Sequence, residues 1–208
     1  AAAAGGHRRR PLAGGWPGGR GWGSKKVLPP GALVLVMHGM EFNNGNQVAR
    51  QCAVGVLDAM GPNDELAVVL WDGQDRWLFP LTKVGDKQDL GRQIMGMNQG
   101  DLPSFQNVMT MGYQGLKAST ASIKHMILFS DGDPGGPSDE LMANFRNERI
   151  TVSTVLIAGH AGPDTMIETA DTGDGRFYHI THPPHSPPIF LQPPPATSNT
   201  ALYVTPPT

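Results

Sequence analysis

The feature that most constrains the fold is an unbroken apolar run over residues 33–37, Leu-Val-Leu-Val-Met. Two prolines and a glycine precede this run, and Gly39 follows it after a single histidine, His38. Because a strand with one solvated face alternates apolar and polar residues, the run predicts a strand that is buried on both faces. In an open α/β sheet the turn after such a strand borders the crevice where ligands bind, so residues 38–42 are expected at the binding face.

Extended and helical patterns alternate along the rest of the chain, and their order predicts the fold class. The order is β-α-β-β-α-α-β-α-β-α-β, which predicts a doubly wound α/β fold, a Rossmann-like three-layer sandwich with a mostly parallel sheet. The turn at residues 72–75 and the proline at position 80 predict one short antiparallel strand at a sheet edge. The predicted strands are residues 33–37, 65–71, 76–81, 125–129, 151–157 and 175–180, and the predicted helices are residues 47–60, 86–97, 105–119, 138–147 and 163–172.

Composition divides the chain into a domain and two tails. Residues 1–26 are rich in Gly, Arg and Ala without periodicity, which predicts a disordered basic tail. From residue 182 onward, nine of the 19 prolines fall within 27 positions that contain no Asp, Glu, Lys or Arg. That composition predicts an extended or disordered Pro-rich tail over residues 182–208. The folded domain is therefore predicted over residues 27–181.

The distribution of charge argues against nucleic acid as the partner. Six of the 16 basic residues and none of the 18 acidic residues lie in residues 1–26, so the remainder carries ten basic and 18 acidic residues, a net charge of −8. Phosphate binding needs a basic face, and no nucleic-acid partner is expected. The single cysteine, Cys52, excludes an intrachain disulfide and a Cys-based metal cluster, and its helical apolar pattern is typical of a core residue.

No targeting or membrane segment is predicted from the sequence. No apolar run approaches the roughly 20 residues that a membrane helix needs, so this segment is not expected to insert into a membrane. The chain begins without methionine and without the charged-then-apolar order of a signal peptide. These features predict a fragment or an internal segment, and they assign no localisation.

Several segments resemble a von Willebrand factor type A domain. They are the strand at 33–37, Ser-Asp-Gly at 130–132, the strand at 151–157 and Thr-Gly-Asp-Gly-Arg-Phe-Tyr at 172–178. Within that superfamily the chain is most similar to uncharacterised bacterial proteins that share Val-Met-His, Phe-Pro-Leu and Ser-Asp-Gly-Asp-Pro. The resemblance implies a domain that binds a protein partner and is embedded in a longer, membrane-associated chain. Some of these relatives have a glutamine amidotransferase-like context.

The resemblance also implies a metal site, but the chain departs from the pattern of its ligands. The family places Asp-x-Ser-x-Ser after the first strand and takes a Thr and an Asp from later loops. In this chain those positions hold His38, Met40, Phe42, Pro103 (with Ser104 adjacent) and Asp131. Mg²⁺ prefers hard oxygen ligands in a near-octahedral shell, so the usual site is expected to be largely lost and no cofactor is expected.

A rebuilt metal site is the alternative, because four side chains follow strand ends at the same face. These are His38, Glu41, Asp131 and Asp133, and histidine with carboxylates suits Zn²⁺ or Mn²⁺, so one divalent cation is the alternative cofactor. In the competing interpretation, Glu41 and Asp133 are exposed turn residues, while His38 and Asp131 pair with or cap neighbouring groups. The predicted interaction loops of this face contain His38, Gly39, Met40, Glu41, Ser104, Asp131 and Asp133.

Three functional hypotheses follow from these features. The leading one is a non-catalytic protein-interaction module within a larger assembly. It would contact its partner through the face loops, the edge strand or Trp77. The Trp77 side chain could instead cover the core. The second is an enzyme on the same fold, with Ser130, Asp131 and His38 as an acyl-transfer set. However, no G-x-S-x-G elbow, P-loop or G-x-G-x-x-G after a strand is present. The third is a relic with a damaged or misread frame at both ends.

Four further histidines invite a metal interpretation, namely His160, His179, His182 and His185. Three of them fall in or beside the last loop and the Pro-rich tail. Histidines scattered along a tail rarely form a site, so no metal centre is predicted from them.

Overall fold

The central sheet has the strand order β3-β2-β1-β4-β5-β6-β7. The structure, a computed structural model, describes residues 29–40, 44–158, 161–180 and 202–203. The strands are β1 (Gly31–Met37), β2 (Glu65–Trp71), β3 (Asp75–Lys83), β4 (Ile123–Ser130), β5 (Thr151–Ile157), β6 (Asp174–Ile180) and β7 (Leu202–Tyr203). The helices are α1 (Gly45–Ala59), α2 (Lys87–Gly96), α3 (Phe105–Ala118), α4 (Asp139–Asn147) and α5 (Asp164–Thr172).

The first strand lies inside the sheet, as the unbroken apolar run predicts. β1 pairs in parallel with β2 on one side and with β4 on the other, so that Leu35 lies between Val68 and Ile127. The chain winds from β1 outward to β2 and later returns to the other side of β1. The carboxyl ends of β1 and β4 therefore form the switch point where ligands bind in open α/β sheets.

Side chains of the sheet alternate between two hydrophobic layers. Leu33, Leu35 and Met37 of β1 pack in one core cluster with the buried faces of α1 and α2. Val34 and Val36 pack in a second cluster with α3, α4 and α5. Because neighbouring residues of a strand point to opposite faces, the run needs helices on both sides. The result is the three-layer arrangement that the sequence predicts.

The antiparallel edge is also confirmed. β3 pairs antiparallel with β2, whereas the other strand pairs among the described residues are parallel. Pro80 is exposed in β3, at the edge of the sheet where a missing N–H donor is tolerated. Trp77 of β3 is half-buried and packs against the core cluster beneath α3, as the core-covering alternative predicts.

Predicted and observed elements agree closely within the described residues. β2 and β5 match the predicted bounds, and the other elements differ by one or two residues at an end. Cys52 is buried in α1, which confirms its prediction as a core residue. Residues 1–26 lie outside the described residues, as does nearly all of 182–208, so disorder there stays a prediction. Leu202–Tyr203 pairs with β6 at the far edge of the sheet.

Candidate functional site

His38 lies at the switch point, directly after β1. Its backbone N–H donates to the carbonyl of Phe129 at 3.1 Å, which extends the β1–β4 ladder by one bond. This bond places the His38 side chain at the carboxyl end of the sheet, where it is fully buried. A buried imidazole must satisfy both of its nitrogens, and the partners of these nitrogens define the site.

Three carboxylates surround the His38 ring. Nδ1 lies 3.0 Å from Ser130 Oγ and 3.2 Å from Asp131 Oδ1. Nε2 lies 3.1 Å from Asp101 Oδ1 and 3.6 Å from Asp133 Oδ1. The side chain of Asp131 is buried, but those of Asp101 and Asp133 are 58% and 28% exposed. We call these four residues, His38, Asp101, Asp131 and Asp133, the His38 cluster.

The carboxylates favour the protonated form of His38. Burial by itself lowers the pKa of the ring, but hydrogen bonds to Asp131 and Asp101 and the charges of Asp131 and Asp133 raise it more, and the net pKa is raised. With a proton on each nitrogen, Nε2–H donates to Asp101, and Nδ1–H donates toward Ser130 Oγ and Asp131 Oδ1. The ring then acts as a cation between acidic groups.

The same charges also shift the pKa of Asp133. Burial raises the pKa of its carboxyl, and the negative charges of Asp131 and Asp101 raise it further, while the charge of His38 lowers it. The net pKa of Asp133 is raised. The cluster therefore holds more negative charge than one imidazolium balances, and it would gain from a second positive charge.

The Asp101 loop is fixed by close contacts of its backbone with the ends of β1 and β2. Gly39 N–H donates to the carbonyl of Gly100 at 2.8 Å, and Gly100 N–H donates to the carbonyl of Trp71 at 2.6 Å. A Cβ on Gly39 would lie 2.4 Å from the backbone of Gly100, and a Cβ on Gly100 would lie 2.8 Å from the Trp71 ring. The two glycines therefore let the loop approach closely enough for Asp101 to reach His38.

A tight turn after β4 positions the other two acids. Ser130 Oγ accepts a hydrogen bond from Gly132 N–H at 3.0 Å, and Gly132 has a φ of +102°, which favours glycine. This turn places Asp131 at Nδ1 and Asp133 at Nε2 of the same ring.

The predicted site residues fall into three groups. His38, Asp131 and Asp133 are brought together. Gly39 and Met40 are buried and lie beneath the face rather than on it. Ser104 is the N-cap of α3, where its Oγ accepts from Gln106 N–H and donates to the carbonyl of Gly135, both at 3.2 Å.

Other predicted candidates contribute less to the site. Glu41 and Phe42 lie outside the described residues, as do His160, His182 and His185. Burial raises the pKa of Cys52 to about 12, which keeps its thiol protonated and unreactive at neutral pH. Ser130 contacts His38, but its side chain is fully buried.

Asp101 was missed by sequence reasoning. It lies in the loop before α3, which has no periodicity and reads as a connection. The available signal was topological, because a loop that enters a helix at the carboxyl end of a parallel sheet borders the crevice. Asp101 is the acid of that loop, between Gly100 and the Ser104 cap.

Comparisons with known proteins agree with this fold. The family model of the von Willebrand factor type A domain matches residues 39–186, well over half of the chain. The chain belongs to this family. No curated protein matches the sequence.

Solved structures with this fold include bacterial and animal proteins. A von Willebrand factor type A protein from Catenulispora acidiphila aligns with a TM-score of 0.63 at 16% identity, over 74% of this chain and 39% of its own. The conserved hypothetical protein BatB from Bacteroides thetaiotaomicron aligns with a TM-score of 0.59 at 13% identity, over 73% of this chain and 90% of its own. Proximal thread matrix protein 1 from the mussel byssus, with a zinc-occupied MIDAS motif, aligns with a TM-score of 0.58 at 16% identity, over 74% of this chain and 44% of its own.

At these low identities, the TM-scores show a shared fold alone. This chain spans about two fifths of the Catenulispora structure and a little more of the mussel one. Type A domains are a common protein-interaction and adhesion module. Among the described residues, no helix is long and apolar enough to span a membrane.

The residues at the family's metal position do not fit an oxygen-only Mg²⁺ site. Met40 is 5% exposed within the core cluster of α1 and α2, and a thioether is a poor ligand for Mg²⁺. The Ser104 hydroxyl already caps α3 and bonds to Gly135. Mg²⁺ demands near-octahedral oxygen ligation, and the resemblance assigns the position of the first carboxylate to His38, which offers a ring nitrogen instead.

Proposed function

We propose that this chain is a non-catalytic protein-interaction module that binds its partner at the His38 cluster and the adjoining loops. The observation that carries the proposal is the buried His38 ring with three carboxylates, two of them exposed at the switch point. Crowded like charges cost stability, and such costs are retained mainly at functional sites. The family to which the chain belongs supports interaction as the type of function.

The loss of the oxygen-only metal site is part of this proposal. It rests on the burial of Met40 and on the hydrogen bonds that occupy the Ser104 hydroxyl. The partner would then recognise the exposed carboxylates of Asp101 and Asp133, or a different ion held between them. We include in this proposal that the domain acts within a longer chain or assembly.

The contact between Ser130 and His38 is the one feature that favours an enzyme. Ser130 Oγ lies 3.0 Å from His38 Nδ1, as in a nucleophile–base pair. However, Ser130 is fully buried and its Oγ accepts from Gly132 N–H, so a substrate carbonyl has no access to it. The raised pKa of His38 also opposes its use as a general base at neutral pH. These observations support a structural role for the contact between Ser130 Oγ and His38 Nδ1.

Site-specific photo-crosslinking in the source cells tests the proposed contact face. One photoreactive side chain replaces Pro103, which is exposed beside the His38 cluster, and another replaces Asn63, which is exposed at the opposite end of the sheet. A third replaces Gln114, which lines an apolar groove between β3 and α3. We expect a discrete cross-linked protein from position 103 and none from position 63.

The charge reversal Asp101→Lys should then abolish the cross-link at position 103. A partner captured only at position 114 would move the contact surface to the edge strand and would contradict the proposal. Equal capture at all three positions would indicate nonspecific contact and would also contradict it.

A further inference from the structure

The His38 cluster has the features of a metal site with a donor set different from the oxygen-only one. His38, Asp101 and Asp133 each offer one ligand atom, and these atoms lie within 4.8 Å of one another. The histidine is buried and fixed, whereas both carboxylates lie at the opening of the crevice. One nitrogen and two oxygens with room for an exchangeable ligand suit a borderline cation.

The distances within the cluster match those between two ligands of one ion. Ligands bound about 2.0–2.2 Å from a tetrahedral zinc ion lie roughly 3.3–3.6 Å from one another. Nε2 of His38 lies 3.1 Å from Asp101 Oδ1 and 3.6 Å from Asp133 Oδ1. Small rotations of the two partly exposed carboxylates would therefore complete the geometry without movement of the sheet.

The other ring nitrogen has the partners that metal-binding histidines require. A histidine ligand commonly donates its second N–H to a buried carboxylate, which fixes the ring orientation and the tautomer. His38 Nδ1 lies 3.2 Å from Asp131 Oδ1 and 3.0 Å from Ser130 Oγ. Both partners are fully buried. With the proton on Nδ1, the lone pair of Nε2 faces Asp101 and Asp133.

We propose that the chain binds one Zn²⁺ ion through His38 Nε2, Asp101 and Asp133, with Asp131 as the positioning residue behind the ring. The ion would replace the proton on Nε2 and neutralise the excess negative charge of the cluster. A remaining coordination position would be open to the proposed contact surface, where Asp101 and Asp133 are exposed. This inference deepens the proposed function and depends on it for its biological role, but zinc binding itself is measurable without a partner.

Isothermal titration calorimetry with zinc chloride on the full 208-residue chain tests this site. We expect one zinc ion per chain, and we expect Asp101→Asn and Asp133→Asn each to weaken binding at least 10-fold. Asp131→Asn should weaken it by roughly 10–100-fold, because the ring would lose the carboxylate that orients it. Asp58→Asn, which removes an exposed acid on α1 far from the cluster, is the matched control and should bind as the wild type does.

Two further variants exclude other outcomes. His38→Gln should abolish binding, with circular dichroism as the check that this buried substitution folds. Because Asp101 and Asp133 are partly exposed, their variants keep the test decisive even if His38→Gln does not fold. A variant with both His182 and His185 replaced by Gln should bind zinc as the wild type does.

Several results would overturn the site. A wild type that binds no zinc would contradict it, as would Asp101→Asn and Asp133→Asn variants that bind zinc as tightly as the wild type does. Loss of binding on removal of His182 and His185 would also contradict the site. Tighter binding of Mg²⁺ or Mn²⁺ than of Zn²⁺ would contradict the choice of ion. The two proposals fail separately. Zinc binding without a cross-linked partner contradicts only the interaction proposal, and a partner that binds the face without zinc contradicts only the metal site.

Discussion

His38 and His125 show how the pKa values of two histidines of one sheet are shifted in opposite directions. His38, at the carboxyl end of β1, contacts three carboxylates, which raise its pKa. His125, near the amino end of β4, contacts the hydroxyl of Thr151 through Nδ1 at 2.6 Å, and burial lowers its pKa to about 4. Burial lowers the pKa of both rings, but at His38 the neighbouring carboxylates outweigh it, whereas at His125 burial outweighs the contact with Thr151.

The low pKa of His125 predicts a loss of stability in mild acid. Its pKa is about 4 in the folded chain and about 6.5 when unfolded, so the unfolded chain binds this proton first as the pH falls. The contribution is present above pH 6.5 and is lost as the pH falls toward 4. Between pH 6.5 and 4.5 the free energy of unfolding should fall by on the order of 2 kcal/mol more than in His125→Gln. Urea denaturation at the two pH values measures this difference.

His38 does not obscure that measurement. Its pKa is raised in the folded chain, so its stabilising contribution is fully present below pH 6.5 and is lost only as the pH rises through the folded pKa. Equal losses of stability in the wild type and in His125→Gln would show that His125 is not held neutral.

At the scale of elements, the site depends on loops that the ends of strands hold in place. The Asp101 loop connects α2 to α3, and its backbone bonds to Gly39 after β1 and to Trp71 at the end of β2. The turn after β4 supplies Asp131 and Asp133. The four members of the His38 cluster thus come from three connections, and each connection depends on the sheet to hold its side chains in place.

Gly39→Ala should displace the Asp101 loop. The new methyl group would meet the Gly100 backbone at 2.4 Å, and a backbone atom cannot rotate away as a flexible side chain can. Overpacking of this kind costs about 1–3 kcal/mol, and zinc binding should weaken along with stability. Gly85→Ala is the matched control, because a Cβ there meets nothing within 4 Å. Thermal denaturation and zinc calorimetry of both variants check this, and an unchanged affinity in Gly39→Ala would contradict the role of the close approach.

Ser104→Ala separates a capping role from a ligand role. Ser104 Oγ accepts from Gln106 N–H at the start of α3 and donates to the carbonyl of Gly135. Loss of an N-cap costs about 1 kcal/mol, so the melting temperature should fall while the affinity for zinc stays unchanged. A large loss of zinc affinity in this variant would place the hydroxyl among the metal ligands instead.

At the scale of the whole molecule, the fold follows from the sequence because its signals are local. The unbroken run of β1 requires cover on both faces, and the helices with apolar stripes supply that cover in two layers. Turn residues and Pro80 identify the antiparallel edge, which the structure confirms. Element bounds differ from prediction by at most two residues, and the two-residue differences lie mostly at strand ends, because backbone pairing continues beyond the apolar residues of a strand.

The site is harder to predict from the sequence than the fold is, because it depends on contacts between distant parts of the chain. His38, Asp131 and Asp133 follow strands, so topology alone brings them to one face. Asp101 is 63 residues from His38 along the chain, and their contact depends on the backbone approach of Gly39 to Gly100. No local pattern encodes such an approach. Glycines 39 and 100 appear in the sequence as ordinary turn residues.

The measurement that tests the His38 site most directly is nitrogen-15 NMR of the His38 ring in the full chain, with and without zinc. His38→Gln identifies the resonances by their loss. At pH 6.5 without zinc, both ring nitrogens should carry protons, because the carboxylates raise the pKa. One equivalent of zinc should remove the proton from Nε2 and give the chemical shift of a metal-bound nitrogen, while Nδ1 keeps its proton toward Asp131. A ring whose resonances do not respond to zinc, or one that binds zinc through Nδ1, would contradict the site.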